Sequence, residues 1–95
     1  MDGVIRVNRY KVPSHVLRAE LSEDQVLLNP ETGQYHLVNA TGGVVLSALE
    51  RGQSIDESVE DLARHSDQPI ARLKDDVDEF IDTLLQRGLL EQLET

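Results

Sequence analysis

Cysteine is absent from the sequence, and aromatic residues are scarce. Without thiols, the chain has no disulfides, no thiolate metal sites and no cysteine nucleophile. The three aromatic residues, Tyr10, Tyr35 and Phe80, are too few for the stacking platforms with which proteins hold single-stranded nucleic acids. At 95 residues the chain is long enough for one modest core, so we expect a single domain over residues 1–95.

Long apolar runs are also missing. No stretch approaches the ~20 apolar residues that a membrane-spanning helix needs. The N-terminal MDGVIRVNRYKV lacks the apolar centre of a signal peptide. These absences predict a cytoplasmic protein that does not bind a membrane.

Charge is distributed unevenly along the chain. Residues 1–25 carry four Lys or Arg and four Asp or Glu, whereas residues 26–95 carry five and fourteen, so the second part accounts for the net charge of −9. Because phosphate contacts depend on clustered cations, this balance argues against nucleic acid as a partner.

No pattern of catalytic or metal-binding residues stands out. His15, His36 and His65 lie on separate segments without an H-x-x-x-H pair, which argues against a zinc site. There is no G-x-S-x-G motif, and the two consecutive glycines precede valine rather than the Lys and Ser or Thr of a phosphate-binding loop. We therefore expect no enzymatic activity, no metal and no cofactor.

Short, partly β-branched segments predict strands at roughly 4–10 and 15–21, separated by Pro13, which cannot sit inside a central ladder. SEDQ resembles a turn after the second of them. The strings VLLN and YHLVN then flank an N-P-E-T turn with proline at its second position, which is the spacing of a β-hairpin.

YHLVN has the alternation of a strand. Tyr35 and Leu37 face one side, and His36 and Val38 face the other. If this strand lies at the edge of the sheet, its unpaired backbone groups can template an incoming peptide.

Three helices follow, each with a boundary signal. Asn39 and Thr41 are both good N-caps for the first, and we expect the glycine pair after them to turn the backbone from strand to helix. Ser54 and Glu57 form a capping box for the second helix. Pro69 opens the third, where its missing N–H costs nothing. The terminal LLEQL fits a frayed turn or a short strand.

The apolar face of the third helix is wide. Leu73, Val77, Phe80 and Leu84 share one face, and Ile81 lies one step around it, so one set fills the core and the other is left over. The acidic residues of this helix are interpreted as a solvated face. With strands preceding helices, the elements predict an α+β fold.

The string VLLNPETGQYHLVNATGGVVLSALERGQS, continued by DDVDEFIDTLLQRGLL, resembles PqqD-like proteins, also called the recognition elements of ribosomally made, modified peptides. The likeness covers about residues 16–91 and rests on the order and spacing of individually weak features. Its Y-x-L-x-N-x-T-G form, which starts at Tyr35, is similar to the stand-alone leader-binding proteins of lasso-peptide pathways.

The resemblance implies an N-terminal three-stranded antiparallel sheet followed by a three-helix bundle, like a winged helix-turn-helix domain. It implies that the leader segment of a precursor peptide adds as a strand beside the third strand, packs on the third helix and is presented to a processing enzyme. In lasso-peptide pathways the partner enzymes are a leader peptidase and a cyclase, and in other pathways the partner is a radical enzyme or a cyclodehydratase.

We expect the leader to lie in a groove between Tyr35 or Leu37 and the third helix, although for each apolar residue a plain core position is the alternative. The predicted leader-binding residues are Val26, Leu28, Gln34, Tyr35, His36, Leu37, Val38, Arg72, Leu73, Asp76, Val77 and Phe80.

Two other functions are open at this point. The second and third helices also fit the helix-turn-helix of a DNA-binding regulator. However, a recognition helix over residues 70–87 would carry three Lys or Arg against five Asp or Glu, which DNA phosphates would repel. An adaptor or dimerisation module without a peptide ligand is the other alternative.

Overall fold

The computed structural model describes residues 9–93. Its elements, in chain order, are β1 (Arg9–Lys11), β2 (Leu17–Leu21), β3 (Asp24–Leu28), β4 (Tyr35–Val38), α1 (Ala40–Glu50), α2 (Ile55–Ala63), α3 (Ile70–Gln86) and β5 (Glu91–Leu93). The predicted α+β class is confirmed, with the strands of the larger sheet preceding the helices.

The strands form two separate antiparallel sheets. One has three strands in the order β2-β3-β4, and in the other β1 pairs with β5. The last part of the strand predicted at residues 4–10 lies in β1. Its first part lies outside the described residues. β5 forms because β1 supplies its partner, which no local pattern in the sequence could reveal.

The turn between β2 and β3 is tighter than predicted. Leu21 pairs with Asp24, so only Ser22 and Glu23 connect the strands. Ser22 takes the positive φ of 61° that such a two-residue turn requires. The prediction that SEDQ forms the turn is wrong for Asp24 and Gln25, which belong to β3. Their pairing with β2 outweighs the preference of this segment for a turn.

Asn29 organises the turn between β3 and β4. Its carbonyl accepts hydrogen bonds from the N–H groups of Thr32 at 3.3 Å and Gly33 at 2.8 Å. Its side-chain Oδ1 accepts one from the N–H of Glu31 at 3.0 Å. Pro30 occupies the second turn position, which suits its fixed φ. The predicted N-P-E-T turn is confirmed, and Gly33 leaves it with a φ of 77°.

Asn39 makes the change from strand to helix. Its Oδ1 accepts a hydrogen bond from Gly42 N at 2.8 Å, so Asn39 rather than Thr41 caps α1. The prediction that the glycine pair forms this turn is wrong, because Gly42 and Gly43 lie inside α1 and neither has a positive φ. The extended backbone of Asn39 ends the strand while its side chain satisfies the first helical turn.

The other two helices begin as predicted. In α2, Glu57 N donates to Ser54 Oγ at 3.1 Å, and Ser54 N donates to Glu57 Oε1 at 2.9 Å. Pro69 is the N-cap residue of α3. These local signals act over three residues or fewer, which is why the sequence shows them directly.

Glycine ends α1 and α3 in the same way. Gly52 and Gly88 follow the two helices with φ values of 91° and 69°. In each case the glycine N–H and the next N–H bond back to the last turn, as Leu89 N does to the Leu84 carbonyl at 2.9 Å. Both ends are Schellman motifs, which need a residue without a Cβ.

The core lies between the inner face of the larger sheet and the helices. Leu27 and Val38 supply the sheet side and are almost wholly buried. In α3 the buried row contains Ile81, and Phe80 is only half-buried at its margin. The buried helical residues of the core are Val45, Leu46, Ala48, Leu49, Val59, Leu73, Val77, Ile81 and Leu84.

Replacing Gly88 by alanine should destabilise the protein more than the same change at Gly52. Both positions force alanine into a left-handed conformation, at a cost of about 1 kcal/mol. At Gly52 nothing lies within 4 Å of an added Cβ, whereas at Gly88 it would meet Asn29 Nδ2 at 2.6 Å. That collision displaces the hydrogen bond from Asn29 Nδ2 to the Gly88 carbonyl, for roughly 1 kcal/mol more.

Urea denaturation of Gly88→Ala, with Gly52→Ala as the matched control, measures the difference. Equal losses for the two variants would show that the contact with Asn29 does not contribute.

Candidate functional site

Within the described residues, β4 is an edge strand of the three-stranded sheet, and its outer side pairs with no other strand. Gln34 O accepts a hydrogen bond from Asn29 N at 2.8 Å and therefore points toward β3. Backbone groups alternate along a strand, so the N–H and C=O groups of Tyr35 and Leu37 point away from β3, toward the free edge. β4 therefore presents two outward donors and two outward acceptors.

The side chains of β4 divide between the two faces of the sheet. Tyr35 and Leu37 are exposed, at 64% and 55% of their surface, whereas His36 is half-buried and Val38 is buried. The predicted alternation is confirmed. Cross-strand pairing places Leu28 opposite Tyr35 and Val26 opposite Leu37, on the same outer face.

The outer face continues onto β2. Leu17 lies opposite Leu28, and Ala19 lies opposite Val26, so two apolar rows cross the whole sheet. Tyr35 and Leu37 end these rows at the free edge. The expected groove between Tyr35 or Leu37 and α3 is therefore not formed, because their side chains point away from the helices.

His36 and Val38 instead face α3 through Phe80. The rings of His36 and Phe80 lie 6.1 Å apart between centroids, in a tilted arrangement. A Cβ on Gly42 would lie 3.1 Å from Val38 Cγ1 and 3.2 Å from Phe80 Cζ. Because Gly42 has no Cβ, α1, β4 and α3 can approach one another closely beside the edge. The sequence pattern predicts a turn at this glycine, but its role in the structure is this close packing.

An open groove of about 930 Å³ begins at Phe80 and runs between the start of α1, the end of α2 and the first half of α3. Among the predicted binding residues, its lining includes Leu73, Asp76, Val77 and Phe80 but not Arg72. Arg72 is exposed on α3. Leu73 and Val77 are buried core residues that form the floor of the groove. Residues of the lining that the sequence did not suggest include Asn39, Val44, Leu62, Arg64, His65 and Gln68.

A smaller cavity of about 400 Å³ lies at the other end of β4, between Gly33 and Leu37, and Gln34 is part of its lining. Arg87, which directly follows α3, closes one side of it. Its Nη1 donates to Tyr35 O at 2.8 Å and to His36 Nδ1 at 3.0 Å. One of the outward acceptors of β4 is therefore occupied by Arg87.

No feature of the sequence singles out Arg87. A cation at a helix C-terminus is ordinarily explained by the helix dipole. Its contact with Tyr35 joins residues that are 52 positions apart, which no local pattern shows.

The hydrogen bond with Arg87 fixes the state of His36. A guanidinium only donates, so Nδ1 must accept and the imidazole carries its proton on Nε2. Burial lowers the pKa of His36, and the charge of Arg87 lowers it further. The folded protein therefore favours the neutral form of His36.

The acidic residues of α3 face solvent, as the sequence indicated. Asp78 pairs with Lys74 at 3.0 Å, and this hydrogen bond raises the pKa of Lys74. Across residues 9–93, no three His, Asp or Glu side chains are arranged to hold a metal ion. Within the same range, no helix has the length and apolar character to cross a bilayer.

The family model of Coenzyme PQQ synthesis protein D (PqqD) matches residues 24–90, which include β3, β4 and all three helices. The chain belongs to the PqqD family. No curated protein sequence matches it significantly.

Two solved structures resemble this PqqD-family chain. One is TbiB1 in complex with the TbiA(beta) leader peptide, with 28% identity and a TM-score of 0.74 over 85% of this chain and 94% of TbiB1. The other is a lasso peptide synthetase B1 complexed with the leader peptide, with 18% identity and a TM-score of 0.78 over 87% and 98% of the two chains. The second likeness concerns the fold alone.

Alanine at Gly42 should be less favourable than alanine at Gly43. Both residues lie inside α1, where alanine is better than glycine by about 0.5–1 kcal/mol. At Gly43 an added Cβ meets only the end of the Gln25 side chain, at 3.4 Å, so we expect a gain. At Gly42 it presses on Val38 and Phe80, and we expect this gain to be cancelled or reversed. Thermal unfolding of the two variants measures the difference, and an equal gain for both would contradict the close packing at Gly42.

Acid should destabilise the protein partly through His36. Its pKa is lower in the folded chain than the ordinary value of about 6.5, so the unfolded chain binds a proton that the folded chain resists. This contribution is fully present above the ordinary pKa and is lost as the pH falls through the lowered pKa of the folded chain. His36→Gln keeps an acceptor for Arg87 and should lose stability less steeply than wild type over this range.

Urea unfolding at several pH values provides the comparison, and His65→Gln, which removes an exposed imidazole away from Arg87, is the matched control. Parallel pH profiles for wild type and His36→Gln would count against a titrating role of His36.

Proposed function

We propose that this PqqD-family protein binds the leader segment of a ribosomally made precursor peptide and presents it to the peptidase or other enzyme that processes the precursor. The observation that carries the proposal is the outer edge of β4, which pairs with no other strand within residues 9–93 and is reached by Phe80 of α3 and by Arg87 at its end. In this function the protein is a non-catalytic cytoplasmic binding module without a cofactor. Its further partners are a leader peptidase and, in a lasso-peptide pathway, a cyclase.

Strand addition explains why β4 rather than β2 is the binding edge. Both are edges of the three-stranded sheet, but all five residues of β2 are exposed, and β2 meets a helix through the surface ion pair between Arg18 and Glu50 of α1. Next to β4, Phe80 and Arg87 reach the strand from α3 and from its end. A peptide added here gains main-chain hydrogen bonds from the strand and side-chain contacts from the helix.

The two faces of the edge give an added strand two kinds of side-chain contact. Its inward side chains would meet His36 and Phe80 and could continue into the groove floored by Leu73 and Val77. Its outward side chains would lie beside Tyr35 and Leu37 and extend the apolar rows of the outer face. Apolar residues at both kinds of position therefore supply affinity, and backbone pairing supplies orientation.

The comparisons support this function. TbiB1, which is 28% identical, has been solved with a leader peptide bound. No observation favours the DNA-binding alternative, since the acidic face of α3 is exposed and the comparisons contain no DNA-binding protein. The winged-helix likeness stays a prediction about shape.

Replacing Leu37 by proline should weaken leader binding more than replacing it by alanine. Both changes remove the leucine side chain, but only proline removes the N–H group that points to the free edge. Proline is tolerated on an edge strand at such a position. We expect Leu37→Pro to bind roughly 3- to 10-fold more weakly than Leu37→Ala, the equivalent of one lost hydrogen bond.

The measurement is fluorescence anisotropy of a labelled leader peptide, taken from the precursor encoded beside this gene. Circular dichroism verifies that both variants remain folded. Equal affinities for the proline and alanine variants would contradict strand addition at β4. A folded wild type that does not bind the leader would contradict the proposed function as a whole.

A further inference from the structure

Arg87 makes an incomplete set of interactions at the edge of β4. Both of its hydrogen bonds in the described part of the chain use the same nitrogen, Nη1, which donates to Tyr35 O and His36 Nδ1. Within residues 9–93, its Nη2 and Nε have no hydrogen-bond partner. A guanidinium has five N–H donors in a planar fork, so Arg87 retains donors for a further ligand.

The charge of Arg87 is also uncompensated within residues 9–93, where no carboxylate lies within 4.0 Å of it. Four other cations of the same region have an acidic partner: Lys11 pairs with Glu91, Arg18 with Glu50, Arg64 with Asp61 and Lys74 with Asp78. Arg87 is half-buried, and its two acceptors, a carbonyl and a neutral imidazole, bring no negative charge. A partly desolvated cation of this kind gains more from a carboxylate than an exposed one does.

Space for such a carboxylate exists next to the guanidinium. The cavity of about 400 Å³ between Gly33 and Leu37 lies at the free edge and opens where an added strand would pass Tyr35. An added Cβ at Gly33 would meet nothing within 4 Å, so this side of the cavity is open. An Asp or Glu side chain of an added strand fits this place by size and by charge.

We propose that Arg87 determines leader specificity by binding an Asp or Glu side chain of the leader strand beside Tyr35. This inference rests on the proposed function, because it names a chemical requirement of the peptide that adds to β4. The guanidinium keeps its bond to Tyr35 O through Nη1 and offers its remaining donors to the carboxylate. The predominantly acidic protein thereby selects an acidic residue at one position of its ligand.

If Arg87 has a purely structural role, the expected binding results differ from those of a role in leader recognition. If Arg87 only ties the end of α3 to β4, its loss lowers stability and weakens every leader variant to the same extent. If it binds a leader carboxylate, its loss abolishes the difference between a leader with that carboxylate and one without it. A double-mutant cycle separates these two outcomes.

The experiment uses the leader of the precursor encoded beside this gene and a set of variants in which each Asp is changed to Asn and each Glu to Gln, one at a time. Binding of each peptide is measured for wild type, Arg87→Gln and Arg87→Lys. Arg51→Gln is the matched control, because Arg51 ends α1 as Arg87 ends α3, but its side chain donates to Ser47 Oγ within its own helix.

We expect one carboxylate whose neutralisation weakens binding to wild type and to Arg51→Gln by roughly 10-fold, the size of one charge-assisted hydrogen-bond pair. Arg87→Gln should bind both versions of that peptide equally. Arg87→Lys should retain part of the discrimination, since it keeps the charge but loses the fork.

Two results would overturn the assignment and leave leader binding intact: a leader that binds wild type with no sensitivity to any single neutralisation, or an equal loss in wild type and Arg87→Gln. If Arg87→Gln does not fold, the test rests on Arg87→Lys. If Arg87→Lys discriminates between the two peptides as well as wild type does, the guanidinium group does not bind the carboxylate as proposed. Absence of leader binding by folded wild type would overturn the proposed function together with this inference.

Discussion

The buried side chain of Asn29 is the interaction on which the candidate site depends. Its Oδ1 fixes the β3–β4 turn through Glu31 N, and its Nδ2 donates to the Gly88 carbonyl at 3.2 Å. One amide thus joins the hairpin to the end of α3. Since a buried amide must satisfy both its donor and its acceptor, neither element can shift without a cost to the other. This constraint places Arg87 next to Tyr35.

The position of α3 gives the edge of β4 its character. An exposed edge strand is normally a liability, because it can pair with any other strand. Here Phe80 reaches the inner face of the strand and Arg87 occupies one of its outward carbonyls. The remaining groups are accessible to a peptide that matches both neighbours. The close packing of Gly42 against Phe80 holds the inner boundary of this site in place.

Local parts of the structure could be predicted because their physical causes are local. The Asn-Pro turn at Asn29 and the capping box at Ser54 each involve groups within four residues. The alternation along β4 likewise follows from strand geometry alone. The error at Gly42 has the opposite origin. The same residue type serves turns and close approaches, and only the neighbouring elements decide which of the two applies.

By itself the sequence determined the order of the elements, the caps and turns, the acidic surface and the likeness to PqqD. Each of these depends on residue type and short spacing. Tertiary structure alone decided that Ile81 enters the core and Phe80 stays at its margin, that β4 keeps a free edge, and that Arg87 meets Tyr35. These features depend on contacts between residues as far apart as Asn29 and Gly88, which are separated by 59 positions, and their geometry is set by packing and is not encoded in any one segment.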